Sequence, residues 1–155
     1  MVQKKLSPAG DPTPLGPSHT SPEIWVLLAH GFDAQLVTEM TTYARLAAHS
    51  VILIGLIAGP QRSELGISLN PDRTLEQLPA RRAPVVVFPG GKAATTALLR
   101  DPRVHRLCEA VWNQGGQVVA ASSERALLQV SGVRLTALED RTPYDWWRDF
   151  LYAAK

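Results

Sequence analysis

Sulfur is scarce in this chain: its 155 residues hold one cysteine and two methionines. A single thiol excludes an internal disulfide and any metal cluster built on several cysteines, and it fits a reducing compartment such as the cytoplasm. No metal and no cofactor is expected. Charge of one sign is also lacking, because 16 Lys and Arg against 14 Asp and Glu leave only +2. That surplus gives no motive for a nucleic-acid or anionic-membrane partner. Long apolar runs are missing too. The longest comparable stretch, Val51 to Ala58, has eight residues, and a bilayer-spanning helix needs about 18–20.

Proline is present but uneven. Five of the twelve prolines (Pro8, Pro12, Pro14, Pro17 and Pro22) fall in the first 22 residues among Gly, Ser and Thr. Such a segment buries too little apolar surface to offset the entropy of ordering, so residues 1–22 are expected to form a disordered tail. Lys4-Lys5 runs into Leu6-Ser7-Pro8, not into the apolar stretch of about 7–15 residues that a secretory signal requires. Residues 23–155 are then expected to make a single domain.

From Glu23 short apolar runs alternate with amphipathic stretches. Ile24 to Ala29, Val51 to Ile57, Val85 to Phe88 and Gln117 to Ala121 read as strands covered on both faces. Leu36, Val37, Met40, Tyr43, Ala44 and Ala47 recur at helical spacing. Gly66 to Leu69 reads as a short strand, Asn70-Pro71-Asp72 as a turn, and Arg73 to Leu78 as a helical turn. Asp101-Pro102 opens another helix with a capping aspartate and proline at the first position. Its inward face is Val104, Leu107, Cys108 and Val111, and Gly115-Gly116 ends it. A last helical stretch runs through Leu127, Leu128 and Val130 to Gly132. Alternating strands and helices imply a mainly parallel sheet in a three-layer α/β/α sandwich.

Four pieces, VLLAHGFDAQLVTEMTTYARLAA, LIAGPQRSELGISLNPDRTLEQL, VVVFPGGKAATTALLRDPRVHRL and GGQVVAASSERALLQVSG, carry a resemblance. Together they resemble the PfpI-type intracellular protease and protein deglycase family, of the class I glutamine amidotransferase-like fold. The strand followed by Pro89-Gly90-Gly91 and a helix is the most specific element. The resemblance implies a flavodoxin-like sheet, a hairpin-like insert at LGISLNPDRTL and a stress-related role. It further implies a cysteine on a sharp strand-to-helix turn, a glutamate a few residues after the first-strand glycine, and a histidine beyond the turn. Counted back from Gly132, the cysteine's place falls on Ser122, and a one-residue shift puts Ala121 there. Counted from Gly31, the glutamate's place is Leu36, next to Gln35; no histidine lies between Gly132 and Lys155. With only residues 133–155 following Gly132, the chain is short for the family, and its cleft is expected to be more open.

Several readings of the polar residues stand side by side. Ser122 could act as a nucleophile with His30 as base and Asp33 as orienter; alternatively, Ser122 and Ser123 cap the next helix with Glu124 in its first turn. Cys108, on the apolar face of a helix, reads as an inert small hydrophobe. Gly90 and Gly91, with His30, Asp33, Gln35, Lys92 and Ser123, form a polar rim at the carboxyl ends of the strands, where such sheets bind ligands. A small carboxylate or phosphate fits there, unless the glycines are tight-turn residues and Leu36 fills the cleft. Arg100, Arg103 and Arg106, with His105, read as a solvated helix face, and Arg81-Arg82 form a second basic pair. Tyr144, Trp146, Trp147, Phe150 and Tyr152 are a dense aromatic end, expected to form a helix that covers a sheet face or a homodimer seam. Three functions remain open: a non-catalytic or weakly active ligand-binding or protein-interaction module, a serine-dependent hydrolase or amidase, and a homodimeric scaffold.

Overall fold

The four apolar runs all become strands of one sheet, buried throughout except at Ile52, Leu53 and Gln117. The structure, a computed structural model, describes residues 23–78 and 84–136. The proline-rich tail, Arg81-Arg82 and the aromatic end lie outside the described residues. β1 (Ile24–Leu28), β2 (Val51–Gly55), β6 (Val85–Phe88) and β7 (Gln117–Ala120) join a two-residue β5 (Arg73–Thr74) in a five-stranded sheet. Its order is β5-β2-β1-β6-β7, and every pairing is parallel. Helical crossovers make this possible: α1 (Ala34–Leu46) links β1 to β2, and α2 (Lys92–Leu99) with α3 (Pro102–Asn113) links β6 to β7. A short α4 (Arg125–Val130) follows β7. The result is the three-layer α/β/α sandwich with a flavodoxin-like parallel sheet.

The core is continuous from sheet to helices. All five residues of β1 and all four of β6 are buried, and Val37, Met40 and Ala44 of α1, Ala94 and Leu98 of α2, and Val104, Cys108 and Val111 of α3 pack on them. Asp33 caps α1, its Oδ1 accepting from the Leu36 amide at 3.0 Å. Asp101 caps α3 in the same way through the Arg103 amide at 2.9 Å, with Pro102 at the first helical position.

Two expectations need correction. Arg73 and Thr74 do not belong to a helical turn; they are β5, paired with Ile54 and Gly55 at the sheet edge. Asp72 draws them into register, its amide donating to the Leu53 carbonyl and its Oδ2 accepting from the Leu53 amide, both at 2.8 Å. The helical turn contracts to a 3-10 turn, Leu75–Gln77. Arg103, expected on a solvated face, is half-buried and ties elements together. It bonds the Asp101 carboxylate at 2.7 Å and the Leu56 carbonyl at 3.3 Å, and pairs with Glu76 at 3.5 Å. Among the described residues no helix is long and apolar enough to cross a membrane.

Candidate functional site

Three loops leave the carboxyl ends of β1, β6 and β7 side by side, and each carries part of the polar rim. The first, His30 to Asp33, is held from outside by a small antiparallel pair, β3 (Gln61–Arg62) and β4 (Ser68–Leu69). The Gly31 amide donates to the Arg62 carbonyl at 2.6 Å, and the Glu64 amide to the Phe32 carbonyl at 3.0 Å. Nδ1 of the exposed His30 accepts from the Arg62 amide at 3.0 Å, so a neutral His30 carries its proton on Nε2. The same nitrogen is therefore not turned to Asp33, whose Oδ1 is occupied by capping α1. Gln35 is exposed, and its side-chain amide donates to Glu39 at 2.9 Å along the helix, away from any role at the rim.

The second loop is Pro89-Gly90-Gly91. Gly91 has φ of +94°, and a Cβ there would run into the Gly31 carbonyl and the Phe32 Cα, so the close approach of this loop to the first requires glycine. The Gly90 carbonyl accepts from the Asp33 amide at 3.2 Å, locking the two loops together. Neither the Gly90 nor the Gly91 amide finds an acceptor among the described residues. Lys92, exposed, begins α2 directly after them.

The third loop faces Gly90. A Cβ built on Gly90 would lie 3.3 Å from Ala121 Cβ, 3.7 Å from Asp33 Cβ and 3.8 Å from Leu36 Cδ2. Ala121, whose amide donates to the Phe88 carbonyl at 3.1 Å, is thus the β7-end residue that meets the glycine loop. Ser122 comes next, as the first residue of a 3-10 turn, Ser122–Glu124. The turn is not strained: among the described residues only Ala48 is a non-glycine with positive φ.

Glu124, expected in the first turn of the following helix, ends the 3-10 turn and stands at the N-cap of α4. It is 7% exposed and accepts from the Ser123 hydroxyl at 2.9 Å, while its amide donates to the Ala121 carbonyl at 3.0 Å. Glu124, at the N-cap of α4, makes no side-chain cap hydrogen bond. Sequence reasoning missed this burial, and α4 is too short to show an inward face by spacing. Cys108 belongs to the interior of α3, 3% exposed, with burial pushing its thiol up to about 12. Among the described residues no cluster of three or more His, Cys, Asp and Glu side chains is arranged to hold a metal ion.

A parallel sheet between helices, with a glycine loop at the carboxyl ends of its strands, defines the doubly wound class of α/β proteins. Residues 22–137 match the DJ-1/PfpI family, and the chain belongs to that family. No curated protein matches it. Among solved structures, it is similar to the Salmonella typhimurium DJ-1 superfamily protein STM1931, determined as a cysteine-to-alanine mutant. The two share 23% identity and a TM-score of 0.67, over 72% of this chain and 62% of that one. It is also similar to Drosophila melanogaster DJ-1beta, at 22% identity and a TM-score of 0.72, over 87% and 89%. Oxidized Toxoplasma gondii DJ-1 shares 16% identity with a TM-score of 0.66, over 73% and 62%. The chain thus spans about three fifths of the Salmonella and Toxoplasma proteins.

Proposed function

We propose that this chain is a non-catalytic DJ-1/PfpI-fold module that holds a small anion, a carboxylate or a phosphate, at the Gly90–Gly91 loop. One observation carries the reading: the open side of Gly90 looks onto Ala121 Cβ, Asp33 Cβ and Leu36 Cδ2, and of these residues only Asp33 is ionisable, with its Oδ1 engaged in capping α1. The resemblance implies a carboxyl group at Leu36 and, with the count from Gly132 shifted by one residue from Ser122, sulfur at Ala121. A methyl neither attacks a carbonyl nor exchanges a proton, so neither Ala121 nor Leu36 can serve the covalent step. The means of binding an anion remain: two amides without acceptors among the described residues and an exposed lysine that starts a helix. The chain's one thiol does not substitute, since a thiol with a pKa of about 12 is protonated at neutral pH.

The reading includes a second copy of the chain as partner. Ile57, Leu65 and Ile67, around the β3–β4 pair, are 51%, 72% and 54% exposed, and apolar surface of this kind favours association. Sedimentation is expected to show a dimer; a monomer at high concentration contradicts this part.

Titration of the full chain with inorganic phosphate or acetate, followed by amide NMR, tests the anion site. Saturable shifts at Gly90 and Gly91 are expected. Shifts scattered over surface lysines and arginines, with these two amides unmoved, would overturn it.

A further inference from the structure

A strand at a sheet edge offers main-chain groups to whatever lies beside it, and β2 is left half-covered. In a parallel strand the N–H and C=O of one residue point to one side, and successive residues alternate. The Ser50 carbonyl and the Leu56 amide bond Ile24 and Leu28 of β1, so the even-numbered residues face β1. Leu53 faces outward, to Asp72, and Val51 shares its direction. β5 pairs only with Ile54 and Gly55. No strand lies beside Val51, and neither its N–H nor its C=O has a partner among the described residues.

An open notch of about 610 Å³ occupies that place, lined by Arg45, Val51, Ile52, Asp72, Arg73 and Gln77. Arg45, in the last turn of α1, and Arg73, at the start of β5, are exposed, and their guanidinium groups make no ion pair or hydrogen bond with any described residue. The one acid, Asp72, has an oxygen engaged by the Leu53 amide. The notch therefore carries two cations against one anion, beside an unpaired main-chain donor and acceptor.

We propose that this notch binds an extended acidic peptide segment of a partner protein. The segment continues the line of β5 along β2, pairs with the N–H and C=O of Val51, and places side-chain carboxylates against Arg45 and Arg73. Strand addition of this kind takes affinity from main-chain bonds and selectivity from flanking side chains, and the guanidinium fork matches a carboxylate. A free phosphate has no donor and acceptor at main-chain spacing, whereas an extended peptide supplies a partner for both the Val51 N–H and its C=O at strand geometry. A second copy meeting this edge about a twofold axis would bring Arg45 and Arg73 of both copies together, which like-charge repulsion opposes. The site lies at the amino ends of β2 and β5, away from the Gly90–Gly91 loop, so the two readings fail independently.

The test uses the full chain and a fluorescein-labelled, acetylated and amidated hexapeptide of alternating Glu and Val. Saturable anisotropy is expected, with slowed hydrogen exchange and a shift at the Val51 amide and no shift at Gly90 or Gly91. Arg45→Gln with Arg73→Gln is expected to weaken binding about tenfold or more at unchanged melting temperature, since both side chains are exposed. The alternating Lys and Val peptide, and the Glu peptide methylated on its main-chain nitrogens, are expected to bind at least about fivefold more weakly. No binding at millimolar peptide overturns the proposal, as does equal binding of the methylated peptide. Equal protection of the Val51 amide by inorganic phosphate alone also overturns it, and makes the notch a plain anion site.

Discussion

Single atoms decide what the rim can do. Where Gly90 opens, it meets Ala121 Cβ and Leu36 Cδ2, and the one cysteine sulfur of the chain sits inside α3. Because burial raises the Cys108 thiol from its ordinary 9.0 to about 12, the native chain is expected to resist iodoacetamide at pH 8 and to label only when unfolded. Rapid labelling of the native chain would contradict the burial. The same shift has a stability consequence. The folded chain keeps a proton that the unfolded chain releases, so stability from this group is complete below pH 9 and is lost as pH rises toward 12. Denaturant melts across that range check it, with Cys108→Ala as the variant that flattens the difference. At Gly91, alanine would need an L side chain at φ +94° and overlap the Gly31 carbonyl. Gly91→Ala is expected to cost about 1–3 kcal/mol from the backbone alone, with more from the overlap, read by chemical denaturation.

Elements differ in how clearly their residues announce them. β1, β2, β6 and β7 are buried runs of Val, Ile and Leu, and such runs are visible without any structure. β5 is two residues held by Asp72 on Leu53, a long-range contact that leaves no period in the sequence. Arg103 is similar: its spacing from Arg100 and Arg106 suggests a solvated face, while its bonds go to Asp101, Glu76 and the Leu56 carbonyl. The start of α3 is thereby joined to the end of β2. Arg103 holds the Asp101 carboxyl below its ordinary 3.8, so the stabilisation is present above that value and is lost as pH falls through the lower one. Asp101→Ala removes cap and ion pair together and is expected to cost about 1 kcal/mol or slightly more, measured by thermal melting. Its effect should shrink in acid. α4 is anchored by Leu128, fully buried, while Val130 is 86% exposed. Leu128→Ala is expected to cost about 2–5 kcal/mol and Val130→Ala close to nothing, a contrast that equilibrium denaturation resolves.

At the scale of the molecule, the layering followed from alternation, and the rim followed from knowing which ends of parallel strands receive ligands. Legibility stopped at register. The count from Gly132 crosses a helix and a 3-10 turn and leaves Ser122 and Ala121 as alternatives, whereas the pairing of Phe88 with Ala120 sets Ala121 opposite the glycine loop. His30 could be placed at the end of β1, but its bond to the Arg62 amide depends on a two-residue strand that no pattern reveals. Charge followed the same rule: +2 for the whole chain conceals a local notch where Arg45 and Arg73 stand without partners among the described residues.

Whether this fold has lost the covalent chemistry, as proposed, is read from turnover. Native chain and Ser122→Ala are incubated with methylglyoxal, and substrate loss is followed against buffer. Both proteins are expected to match the uncatalysed rate. Loss of substrate by the native chain that disappears in Ser122→Ala would contradict it and give the Ser122 hydroxyl the role of nucleophile.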